Sequence, residues 1–259
     1  MNPPVSEDDT LVRDPQRAHD ERRDFASAER LPGVVAIAAV VGGISVLAAW
    51  ALLHLIRLFT NLFFFQVLSD RNVSPATNTL GLAVIAVPAI GGLIIGLMAR
   101  YGSEKIRGHG IPEAIEAILF NKSRMSPKVA VLKPISSGIA IGSGGPFGAE
   151  GPIIMTGGAL GSLIGQFFHI TAAERKTLLV AGAVAGMTAV FGTPIAAVML
   201  AVELLLFELR PRSLLPVAIA CCVSAAVRPL ILDGGPLFPL HTSTPDLRTL
   251  ASCLVAGLA

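Results

Sequence analysis

The chain has 259 residues, 53% of them hydrophobic and only 15% charged, with a formal net charge of +2 and a mean hydropathy of +0.68. A soluble domain of this size carries about a quarter charged residues, so the deficit points to lipid as the surrounding solvent. So small a charge, with no basic stripe interleaved with aromatics, argues against a nucleic-acid partner. Three cysteines and five histidines without ligand spacing argue against a metal centre and imply no cofactor.

Residues 1–30 hold eight acids and five arginines with almost no apolar periodicity, which predicts a disordered, solvated tail. The first apolar segment begins only after this stretch, a pattern unlike a cleavable leader. Val34 to Ile56 carries no formal charge over 23 residues, enough to cross a hydrocarbon core of roughly 30 Å. A linker with Asp70 and Arg71 follows, then a second uncharged span from Leu80 to Met98. The loop after it carries Arg100, Lys105, Arg107, Lys122, Arg124 and Lys128 against the single Arg71 of the preceding linker. That bias places the 100–128 loop in the cytoplasm, and the N-terminal tail, two crossings earlier, on the same side.

The remaining segments are broken. Pro134 to Ala149 reads as one short piece and Gly151 to Phe168 as another, closed by the charged triplet at 174–176. Thr177 to Val202 is uncharged for 26 residues but interrupted at GTP, 192–194, which predicts two half-length helices. Leu214 to Val227 is apolar, prolines between 229 and 239 form a connection, and Asp246 opens a further helix. Cys221, Cys222 and Cys253 all fall in apolar segments and are expected to be small buried residues. The sequence ends at Ala259 inside an apolar pattern, an ending expected of a truncated product. Short hydrophobic segments broken by Gly and Pro are tolerated at membrane depth only where protein or a polar cavity satisfies the backbone. Half-helices with inward N-termini are a recurring way to build ion sites in transporters.

Two segments share one layout, glycines followed by a proline in the first helical turn: GHGIPEAIEAIL from Gly108 and GAEGPIIMTGG from Gly148. Proline suits a first turn because its missing N–H has no partner there anyway, and glycine lets a ligand approach the backbone. The unpaired amides of the first turn, with a macrodipole worth about +0.5 charge, make each start an anion site. Two such starts aimed at one point would hold a chloride without any full positive charge. Glu150 stands among the glycines of GSGGPFGAEGP, 142–152, with no other charge from Pro134 to Ala173. An ionisable side chain in so apolar a stretch reads as functional; the alternative is an acid that caps its helix.

GHGIPE, GSGGPFGAEGPIIMTGG and AGAVAGMTAVFGTPIAAVMLAVE closely resemble three successive signatures of the CLC chloride channel and transporter family, over about residues 31 to 259. The resemblance implies an all-α integral membrane protein with tilted, broken and re-entrant helices, a homodimer in lipid, and a bacterial inner (plasma) membrane location. It implies chloride transport by a channel or by chloride/proton exchange, a transport protein rather than an enzyme. Residues 31–232 correspond to the first of two inverted repeats, and 233–259 to a linker and the start of an incomplete second. Carried over, Glu150 is the gate, competing with the anion for its site. Gly108, His109, Gly110, Ile111 and Pro112 line the anion path from one helix start, and Gly148, Gly151, Pro152 and Ile153 from the other. The amides near Gly110, Ile111, Gly151 and Ile153 are the expected donors.

Three departures accompany the resemblance. His109 stands where the family often has serine, and either contacts the anion or caps its helix. Glu203 matches the acid that ends the third signature, a structural or proton-path acid, while Leu204 stands where proton-coupled members have a glutamate. The third is the largest: the family's pore is built from two inverted halves and this chain stops as the second begins, while GPLFP at 235–239 resembles a second-half helix start but reads as a linker. Two alternatives stand beside this reading: a half-protein with no transport of its own, and, from another class, an intramembrane serine protease built on Ser143 with His169 as base.

Overall fold

The computed structural model describes residues 30–168, 170–232 and 246–258. The charged tail, His169 and GPLFP lie outside the described residues. Among the described residues the fold is all-α. Helix α1, Leu31–Phe65, has 35 residues and so is about 52 Å long at the usual rise. Against a hydrocarbon core of roughly 30 Å it must tilt or extend past the lipid. The expected 34–56 span is its first two-thirds. The helix ends at Gln66 in the left-handed region, and the Asn61 amide donates to the carbonyls of Arg57, Ser69 and Arg71, fastening the following chain.

Helix α2, Ala86–Tyr101, is preceded by a 3-10 turn over Gly81–Ile85, and together they make a span of 21 residues. After it come α3, Ile111–Leu119, and α4, Pro127–Gly142. Next are α5, Glu150–Phe167, and α6, Ala172–Phe191. Helix α7, Pro194–Leu200, runs on into a π-turn over Ala201–Leu206. Helices α8, Pro211–Ile231, and α9, Leu247–Leu258, complete the order.

Helix α6 is the centre of the core, buried at every residue from Thr177 to Val190 and packed against α5, α8 and α1. Close approach rests on small residues: a Cβ on Gly157 would overlap the Gly182 carbonyl, and one on Gly182 the Gly157 carbonyl. In lipid, where burial of apolar surface between helices gains little, such close packing is what holds helices together. Ser45 and Ser224 add hydroxyl bonds to the α6 carbonyls of Gly182 and Ala185, at 3.2 and 2.7 Å.

Four expectations are corrected. Helix α4 starts at Pro127, capped by Ser126, seven residues before the expected 134, because the uncharged-run criterion stops at Lys133, a lysine that the fold buries. The triplet 174–176 opens α6 instead of closing the preceding span: Thr171 Oγ accepts from the Glu174 N–H at 3.2 Å and Glu174 accepts from the Thr171 N–H at 2.8 Å, a reciprocal cap. The break at Gly192 is where expected and a helix lies on either side of it, but the two are unequal: 20 residues from Ala172 before it, and a shorter piece from Pro194 through the π-turn to Leu206 after it. Cys221 is buried as expected, whereas Cys222 and Cys253 are exposed on this chain.

Candidate functional site

The two glycine–proline segments both start helices, and the fold brings the starts together. Gly110 caps α3 with φ of 110°, a conformation side chains other than hydrogen rarely adopt. Glu150 is the first residue of α5 and Pro152 its third. A Cβ on Gly151 would overlap the His109 carbonyl oxygen, and one on Gly110 would overlap the Gly151 carbonyl. Backbone therefore meets backbone, and only glycine on both sides permits it.

Beside this contact lies a cleft of about 570 Å³. Gly108, His109, Ile111, Gly148, Glu150, Gly151 and Pro152 line it, and Gly110, Pro112 and Ile153 do not. Two expected donors are already engaged. The Gly110 N–H donates to Glu113 Oε2 at 2.7 Å, and the Ile153 N–H donates to the Ala149 carbonyl at 3.0 Å. The first-turn amides of Ile111, Glu150 and Gly151 make no hydrogen bond among the described residues, as the open end of a helix requires. These are the amides left for an anion.

Glu150 is half-buried, and no hydrogen bond or ion pair among the described residues engages its carboxylate. Ala149, the cap of α5, receives no side-chain bond, so capping leaves no trace at Glu150. His109 is exposed in the cleft and does not cap α3, a role taken by Gly110 with Glu113.

Sequence reasoning missed the cations. Lys133 and Arg107 line the same cleft, as do Ser136 and Ser137. Lys133 is 2% exposed and its ammonium donates to the carbonyls of Ile106 at 3.0 Å and Gly108 at 2.5 Å. The cleft beside the two helix starts therefore holds full positive charge, which the sequence reading did not place there. A buried ammonium stabilises an anion far more strongly than one in water. The signal was available: a lysine inside the apolar run VLKPISSGIAIG is costly against lipid and so points to a site or a buried partner.

The remaining sequence assignments lie elsewhere. Glu203 is exposed in the π-turn after α7 and is not in the cleft, as is Leu204. Lys176 donates to the Leu206 carbonyl at 2.6 Å, and Glu208 pairs with Arg210 at 3.4 Å. Ser143 is 2% exposed, donates to the Ala140 carbonyl at 3.2 Å and packs on Gly91, so its hydroxyl is spent on a helix end.

The chain is similar to known proteins. A family model described as voltage gated chloride channel matches residues 91–259. The voltage-gated ClC-type chloride channel ClcB of Yersinia pseudotuberculosis is 29% identical over 201 residues, which are 77% of this chain and 48% of that protein. The H(+)/Cl(-) exchange transporter ClcA of Vibrio cholerae is 30% identical over 188 residues, 69% of this chain and 39% of that protein. The solved structure of a slow cyanobacterial Cl-/H+ antiporter matches with a TM-score of 0.66 at 22% identity, over 87% of this chain and 53% of that one, a likeness of fold. The chain spans about half the length of the curated relatives it matches. By this match over residues 91–259, the chain belongs to the voltage gated chloride channel family.

Proposed function

We propose that the chain carries chloride across a membrane, as a channel or in exchange for protons, with Glu150 as the gate. The observation that carries this reading is the convergence of two helix starts on one cleft that also holds Lys133 and Arg107. The free first-turn amides are the donors, and an ionised Glu150 competes with the anion for them. Protonation removes that competition, so flux rises as pH falls. Leu204, at the inner proton position, favours the channel. Residues 31–232 act as the first repeat, with the 100–128 loop in the cytoplasm of a bacterial inner membrane and a second copy forming a homodimer.

The test is chloride efflux from liposomes holding the purified chain. Glu150→Gln is expected to raise efflux and flatten its pH dependence; unchanged, pH-sensitive efflux in the variant removes the gate. A second reading is favoured by coverage: relatives are about twice as long, and transport then needs more protein than these residues. Silent liposomes, with chloride binding retained, distinguish it.

A further inference from the structure

We propose that Lys133 and Glu113 are a positioning pair that sets the anion affinity of the cleft by holding residues 106–110 in one backbone conformation; the proposal rests on the reading of the cleft as an anion site. Each residue grips one end of the same short loop. The Lys133 ammonium takes the carbonyls of Ile106 and Gly108. The Glu113 carboxylate takes the Gly110 N–H at 2.7 Å and folds back over Gly108, where a Cβ would collide with it. Between the two grips stands the His109 carbonyl, the atom that meets Gly151.

Two consequences follow from elementary geometry. Carbonyl oxygens carry partial negative charge and repel an anion, and here two of them are turned onto an ammonium. Because the peptide unit is planar and trans, fixing the Gly108 carbonyl on Lys133 directs the His109 N–H the opposite way. The α3 start then has one register against α5, so the amides of Ile111 and Gly151 face the cleft together. A buried lysine already committed to two carbonyls thus acts through the backbone. It is not a ligand of the anion.

Hydrogen exchange of the 104–120 segment and chloride affinity, both measured on the full chain in lipid nanodiscs, test the pair. Lys133→Met is expected to speed exchange at Gly110 and weaken chloride binding, each by about tenfold, the size of a lost charge-assisted bond. Lys133→Arg restores most of both. Glu113→Gln, which keeps an acceptor for the Gly110 amide, is the milder variant if Lys133→Met does not fold. It is expected to speed exchange at Gly110 and weaken chloride binding, each by a smaller factor than Lys133→Met, and a folded variant that moves neither overturns the clasp. Unchanged exchange in Lys133→Met overturns the clasp, and faster exchange with unchanged affinity overturns its control of the anion. Absence of chloride binding by the unaltered chain overturns the anion reading and the affinity claim with it, while exchange still judges the clasp.

Discussion

At the start of α3 the Glu113 carboxylate closes on the Gly110 amide at 2.7 Å, whereas at the start of α5 the Glu150 carboxylate has no partner among the described residues. Both acids stand within three residues of a glycine and within two of a proline, at helix starts that touch. Position along the helix separates them. Glu113 is the third helical residue, and from there a side chain reaches back to the cap amide. Glu150 is the first, and no such local ring is open to it. One acid is consumed in closing its helix start, and the other is left without a partner among the described residues.

The largest effect that could break this contrast is at the contact itself. Gly151→Ala drives a methyl group into the His109 carbonyl, an overpacked backbone contact costing about 3 kcal/mol. Thermal unfolding in detergent is expected to fall accordingly and chloride binding to be lost. A variant as stable and as competent as the parent would mean that the two starts do not touch. Next in size, Glu113→Ala removes half of a cap and is expected to cost about 1 kcal/mol. Glu150→Gln, by contrast, breaks no bond and is expected to change stability by less than about 0.5 kcal/mol while altering the pH dependence of flux. If the two acids cost the same stability, the division of labour between them is wrong.

Much of this was legible in the sequence, for physical reasons that differ by residue. The helix starts were readable because glycine and proline constrain backbone locally, and Gly110, Glu150 and Gly192 are where such constraints place them. The 80–98 span was readable because lipid demands an uncharged run of that length. Lys133 was not, because a charge is read as the end of a span unless its partners are known. Those partners, the Ile106 and Gly108 carbonyls, come from a loop 25 to 27 residues away. The commitment of the Gly110 and Ile153 amides was likewise hidden: which first-turn N–H groups stay open depends on where the helix begins, to the residue. Glu174 shows the same limit, since a charged triplet reads equally as an end or a start until Thr171 is seen to cap it.

The smallest expected effect sharpens what the glycines are for. A Cβ on Gly148 meets nothing closer than the Glu150 nitrogen at 4.0 Å, so alanine there is accommodated without moving chain. Stability of Gly148→Ala is expected to stay within about 0.5 kcal/mol of the parent, unlike Gly151→Ala. Gly148 nevertheless lines the cleft, so the added methyl group occupies space an anion would use. If the glycine serves the ligand, chloride affinity drops a few-fold with stability unchanged. If neither moves, the anion sits farther toward Gly151 and Ile111, and Gly148 serves only the turn. The pair of alanine variants thus separates a glycine required by the fold from a glycine required by what the fold holds.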